Sequence, residues 1–407
     1  MRRVLVTLLI TFAVVALFAF TVHVEHAPLP AMSRLASARA PLTYAYDVMG
    51  RKITAAEATE LQKTEEGRRL LSPAAGAIAV DEKMVRAGRE AFYRETFGNE
   101  YFLTDVMGIL DGPVTPWAVT KAVLALAGRG TTNLQVRLAK PITIGGRRYE
   151  KGELFSTGLD VVRGSIFPLG LKTVYDRGTI RVGITCAACH ATIDAASGRV
   201  IEGAPNADFD VGTMMAMATN SSSYFVHVDI PSLDPFRTDP ARVVRTSTGA
   251  TERLPDPDAL EAAVDAMVAA WGPGRFDSQL DLVNNPTSIP DTFARGAHPF
   301  GWSGFSGIGP FSGLSALTNN VHSLNSDETA QAAAAPALWK MDPEVYLGTL
   351  LQRAANKRVR YVPGEDRKPS EVLAAFDPTP ESPGLNSYAV LPNYPRPNLV
   401  TTNGLIT

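Results

Sequence analysis

Both cysteines of this 407-residue chain lie in one five-residue segment, Cys186-Ala187-Ala188-Cys189-His190. Two thiols three positions apart cannot staple a chain of this length with a disulfide framework. The fold must rest on apolar burial instead, and the composition permits it, with 45% hydrophobic and 20% charged residues. That balance excludes a disordered chain and a coiled coil. The formal net charge is −2, so there is no electrostatic case for a nucleic-acid partner. Thirty-three glycines and 29 prolines predict a fold rich in loops. The length suits two or three ordinary domains, or one domain with elaborate loops.

The spacing C-x-x-C-H is the attachment signature of c-type haem. Each thiol can add to one of the two haem vinyl groups, and the adjacent imidazole is then held under the ring as an iron ligand. On this reading Cys186 and Cys189 form the thioethers of one covalent haem c, and His190 is the proximal ligand. Two other chemistries use a Cys-x-x-Cys pair. Zinc asks for four donors, and the sequence has no second Cys pair and no His-x₃₋₅-His. A dithiol redox centre needs the pair at a helix start after a strand, which Ile184-Thr185-Cys186 allows locally, but no clear βαβ pattern surrounds it.

The sixth iron position decides between electron transfer and reaction with peroxide or dioxygen. Met214, Met215 and Met217 lie 24–27 residues beyond His190, far enough along the chain to return across a ring. His227, His298 and His322 are the other candidates, and His23 and His26, beside the apolar N-terminus, are poor ones. His322 or Met217 is the expected distal ligand.

Met1-Arg2-Arg3 followed by the apolar run Val4 to Phe20 has the layout of a secretory signal or a short membrane anchor. Residues 1–26 are therefore read as signal peptide or anchor, and the body as periplasmic or on the outer face of the inner membrane. Residues 27–80 read as linker and N-terminal segment, 81–376 as the haem domain with insertions, and 377–407 as a Pro-rich extended tail. Helices are expected over 81–97, 116–127, 257–271 and about 342–357. Alternation around 134–144, with Gly145-Gly146 as the turn, predicts a small β-hairpin region. The last residues, Thr402 to Thr407, bring no helix to close a domain, which predicts a truncated chain that a second haem domain would follow.

Four stretches carry a family resemblance: Gly183–His190, Gly203–Asp208, Trp271–Asp277 and Asn285–Pro290. Together they resemble exported c-type cytochromes of the large di-haem class, which includes bacterial di-haem cytochrome c peroxidases and rubber oxygenases. The resemblance spans residues 80–360, and the haem motif is its specific part. It implies a mainly α, cytochrome c-like haem domain with long loops. It also implies electron transfer, with peroxide or oxygen chemistry in some members. Cys186, Cys189 and His190 carry over; the second haem motif of those enzymes has no counterpart here.

The sequence thus predicts a c-type cytochrome that passes single electrons to or from a redox partner protein or a quinone-linked donor, with membrane attachment through the N-terminal segment. A peroxidase- or oxygenase-type haem enzyme is the second reading, and a dithiol oxidoreductase the third.

Overall fold

The computed structural model describes residues 22–37, 43–48, 51–75, 77–176, 178–292, 307–308, 311–312 and 325–376. The apolar run Val4 to Phe20, the tail from 377, His298 and His322 lie outside them. Among the described residues no helix is long and apolar enough to cross a membrane.

Most of the helices start where the sequence supplies a side-chain cap. In chain order they are α1 (Ala55–Leu61), α2 (Glu65–Leu70), α3 (Glu82–Arg94), α4 (Pro116–Ala125), α5 (Cys186–His190), α6 (Val211–Ala216), α7 (Pro257–Ala269), α8 (Glu328–Leu338), α9 (Pro343–Leu351) and α10 (Pro369–Phe376). Asp81 accepts from Met84 N at the start of α3, and Asp256 accepts from Asp258 N and Ala259 N at the start of α7. Each such cap satisfies a backbone donor that the first helical turn leaves open.

The strands are β1 (His23–His26), β2 (Tyr46–Val48), β3 (Arg51–Ile53), β4 (Ala77–Ala79), β5 (Gln135–Arg137), β6 (Ile142–Ile144), β7 (Arg147–Tyr149), β8 (Leu154–Ser156), β9 (Leu171–Asp176), β10 (Thr179–Ile184), β11 (Ala191–Ile193), β12 (Val200–Glu202), β13 (Val243–Arg245), β14 (Thr251–Arg253), β15 (Arg275–Phe276) and β16 (Thr287–Ser288). All their pairings are antiparallel. β6 and β7 close on Gly145 and Gly146 at φ +54° and +81°, the doubly positive backbone that a two-residue hairpin turn requires.

The expectation of a mainly α, cytochrome c-like fold is therefore corrected. Of the described residues, 36% are helix and 18% strand, and the strands form many small antiparallel sheets. The physical reason is strand length. Most of these strands have two or three residues, too few to show an alternating pattern, and each borrows its stability from the core beneath it rather than from its own ladder. The longest sheet has the order β1-β9-β10. Its edge strand β1 falls within the residues read as signal or anchor, and it pairs with a partner about 150 residues away, a contact no local pattern announces.

The main core gathers α4, α6, α7, α9 and the turns between them. Asn220 is fully buried and donates through Nδ2 to Val106 O and Leu350 O, both at 3.0 Å. Glu261 of α7 accepts from Ser221 N and Ser222 N at 2.9 and 2.8 Å. The segment read as linker lies against this body: Ala36 N donates to Val200 O at 2.8 Å, and Arg89 Nη2 to Pro30 O at 2.6 Å. Val48, Ile53, Ala58, Leu71 and Ala77 make a separate small core.

β10 is fixed from behind. Its Arg181 pairs with Asp105 at 2.5 Å, both side chains almost fully buried, and lies 4.4 Å from the Tyr101 ring centroid. Asp105 also accepts from Asn356 Nδ2 at 2.7 Å. Asp105→Ala would strand the guanidinium in the core. The expected loss is about 3–5 kcal/mol in denaturant unfolding, and the double variant Asp105→Leu/Arg181→Met should lose less, because no charge is then left unpaired. A single variant as stable as the parent would show that this pair does not hold β10.

Candidate haem site

The motif helix follows β10 directly. Thr185 turns the chain: its N–H donates to Gly170 O at 2.9 Å and its hydroxyl to the same oxygen at 3.1 Å. Asn99 brackets the preceding residue, donating to Ile184 O at 2.8 Å and accepting from Ile184 N at 3.0 Å. The far end of α5 is held equally closely. Asn206 N donates to Cys189 O and Gly203 N to His190 O, both at 2.8 Å. Asn206 Nδ2 adds bonds to Gly158 O at 3.0 Å and Ala188 O at 3.3 Å. The last carbonyls of a helix have no partner within it, and here two loop residues supply one.

Gly170 meets the motif backbone to backbone. It sits at φ +76°, and a Cβ added there would lie 2.1 Å from Ala188 N. Only glycine fits that position on both counts.

Cys186, Cys189 and His190 open on one cavity of about 1070 Å³, walled by apolar residues such as Phe102, Leu159, Leu171, Phe209, Met214 and Met215. His190 is buried, and its Nδ1 lies 3.0 Å from Pro290 O. A carbonyl only accepts, so Nδ1 carries the proton of this bond and Nε2 is the nitrogen suited to a metal. The two thiols are not joined. Burial pushes both up to about 12, with the Glu95 carboxyl adding to the effect on Cys186. A dithiol redox centre needs the opposite, a thiol whose pKa is lowered by a positive environment.

These residues fit a haem. A porphyrin brings four nitrogens of its own and needs two sulfurs and one imidazole beside an apolar cleft. Zinc would draw all its ligands from side chains, and among the described residues no group of three or more His, Cys, Asp or Glu stands ready to hold an ion.

The distal candidates separate. Met214 and Met215 line the cavity. Met217 does not: it caps the end of α6 and packs into the main core. His227 is buried behind Tyr224, which lines the cavity, with the two rings stacked at 3.6 Å. Burial lowers its pKa to about 3, so it stays neutral. His26 lines the outer part of the cavity with its ring 5.2 Å from Phe167, whereas His23 bonds Asp176 at 3.4 Å.

Asn99, Gly170, Thr185, Asn206 and Pro290 position the motif without being singled out by sequence as site residues. Asn206 and Pro290 fall inside two of the four stretches that carry the family resemblance. A third, Trp271–Asp277, joins them where Gly274 N donates to Phe209 O and Gly274 O accepts from Ile289 N, both at 2.9 Å. Comparison with known protein families, curated proteins and solved structures gives no match, so the functional reading rests on this constellation.

Gly170→Ala should displace α5, read as a lower melting temperature together with faster alkylation of the two thiols. A normal melt and unchanged alkylation would show that Gly170 is not a structural stop for the motif. In folded haem-free protein, both thiols should react with iodoacetamide at pH 8 far more slowly than in urea, because burial keeps them protonated. Equal rates would show that the thiols are not buried as described.

Proposed function

We propose that this chain carries one covalent haem and acts as a c-type electron carrier outside the cytoplasm. The observation that supports it most is that the only two thiols and one imidazole, His190, share one apolar cavity, with the imidazole oriented by Pro290 O. Haem, when bound, supplies an iron that takes up and releases single electrons. Cys186 and Cys189 would hold the group through two thioethers, each S–H adding across a vinyl group with its proton going to the neighbouring carbon and no oxidant needed. His190 would offer Nε2, and the carbonyl of Pro290 makes that nitrogen a better donor. Met214 and Met215 bring thioether sulfurs into the same cavity and replace Met217 as the distal candidates. The apolar walls would pack against the group.

A second reading, an enzyme acting on peroxide or dioxygen, is favoured by one feature. The cavity continues well past the motif, to His26 and Ile180, which leaves room for a second molecule. In this reading the chain is a single-haem relative of the di-haem peroxidase and rubber oxygenase class.

Protein produced in a host that exports and attaches haem should show a sharp reduced α-band in alkaline pyridine and a mass of polypeptide plus one haem. Cys186→Ala/Cys189→Ala should lose all haem on denaturing electrophoresis, and His190→Ala should alter the spectrum of whatever haem stays attached. Colourless protein with the mass of bare polypeptide sinks the proposal. Carbon monoxide then divides the two readings: no spectral change marks a carrier, and a rapid change marks an open sixth site.

A further inference from the structure

The far end of the cavity has a construction of its own. One face of the β1-β9-β10 sheet forms its wall, because every second residue of each strand points to the same side. Val24 of β1, Tyr175 of β9 and Ile180 of β10 form the outermost row; His26, Thr173 and Val182 form the next; Leu171 and Ile184 form the innermost, beside the motif. Four residues of β10 separate the inner row from the outer, about 14 Å of strand. The wall is buried at Leu171 and open at its end, where Val24 and Ile180 are 51% and 54% exposed.

α4 contributes another lip, with Pro116, Val119 and Thr120 lining the cavity. Trp117, Thr120 and Leu124 share one face of that helix by their spacing of three and seven. Thr120 lines the cavity, while Trp117 and Leu124 are 62% and 63% exposed. Ile166, next to the cavity residue Phe167, is 71% exposed. Leu338, 54% exposed, also lines it, so among the described residues six of the ten large apolar side chains most open to solvent stand on or beside the walls of one cavity. Scattered apolar side chains are ordinary, but a contiguous apolar patch around an opening marks an interaction surface. Lys121 Nζ sits 5.1 Å from the Trp117 ring centroid. That pairing of an indole with a cation suits the level of lipid headgroups.

One more fact selects the partner. Val24 on the lip is four positions after Phe20, the end of the apolar run. In any conformation the two lie at most ~14 Å apart. Wherever Val4 to Phe20 enters a bilayer, this lip is held at its surface.

We propose that the face formed by Val24, Ile180, Ile166, Trp117 and Leu124 docks on a lipid bilayer, so that the cavity opens to the membrane and admits apolar molecules dissolved in it. The proposal goes beyond the haem assignment and does not depend on it, since docking can be read from Trp117 whether or not haem is attached.

The test uses the full chain reconstituted in phosphatidylcholine vesicles, with or without bromine on the acyl chains. The Trp117 contribution is taken as the difference between the parent and Trp117→Phe. A helix face lying ~5–10 Å into the interface should lose at least about half of that emission to bromine. Val24→Glu/Ile180→Glu should restore most of it while the chain stays vesicle-bound, and Leu124→Glu should do the same from the other lip. Trp117 emission that is identical in both lipids, from vesicle-bound protein, overturns the proposal. So does protection from aqueous iodide that coincides with a doubled mass and no bromine effect, which would assign the face to a second copy of the chain. Loss of the haem assignment in the pyridine assay leaves all these outcomes readable.

Discussion

A helix of five residues closes a single internal hydrogen bond, so Cys186–His190 keeps its shape only because other parts of the chain take up its remaining groups. The hydroxyl and N–H of Thr185 are spent on Gly170, the carbonyls of Ala188, Cys189 and His190 on Asn206 and Gly203, and the imidazole on Pro290. The partners come from positions 170 to 290, which brings most of the central chain to one place. The rest of the architecture follows from the need to hold these segments together around an apolar cleft. β10 carries the motif on its end and is anchored from behind by the Asp105–Arg181 pair. β15 and β16 bring Pro290 within reach of the imidazole.

The chemistry of the site depends on dryness. The thiols are protonated because Cys186 is buried and Cys189 largely withdrawn from water, and the ring nitrogen that faces Pro290 is protonated because a carbonyl can only accept. A polar, charged setting would make the same three side chains a redox dithiol or a metal clasp. Here burial outweighs the one backbone hydrogen bond that favours a Cys186 thiolate, and the Glu95 carboxyl opposes it further. That environment is compatible with the proposed haem attachment, which needs two thiols and a neutral imidazole nitrogen.

Some of this was legible in the sequence and some was not. α3, α7 and α9 begin where the helices expected over 81–97, 257–271 and about 342–357 begin, because a helix start is a local event with a local signature. The hairpin at Gly145-Gly146 was legible for the same reason. The fold class was not. β1, β9 and β10 make the longest sheet, yet β1 is four residues long and its partner lies far along the chain. At the site, Cys186, Cys189 and His190 stood out because their spacing is chemistry in itself. Asn99 and Gly170 left no trace, since a side-chain amide that brackets a strand end looks like any other asparagine. Met217 drew notice by its clustering with Met214 and Met215, but a helix turns by 100° per residue. Its two neighbours face the cleft, and it faces the core.

The close approach of Gly170 to Ala188 bears on which sequences can carry the motif at this place. The two residues between the cysteines are often regarded as free spacers. In this chain Ala187 and Ala188 have no measurable room: they are 0% and 1% exposed, and a foreign backbone presses on the second of them. Positions 170 and 188 therefore behave as one steric unit, and drift at either is confined to whatever the other leaves vacant. In a lineage descended from this chain the spacer would stay small for a purely steric reason: Gly170, eighteen residues before Ala188, already occupies the space.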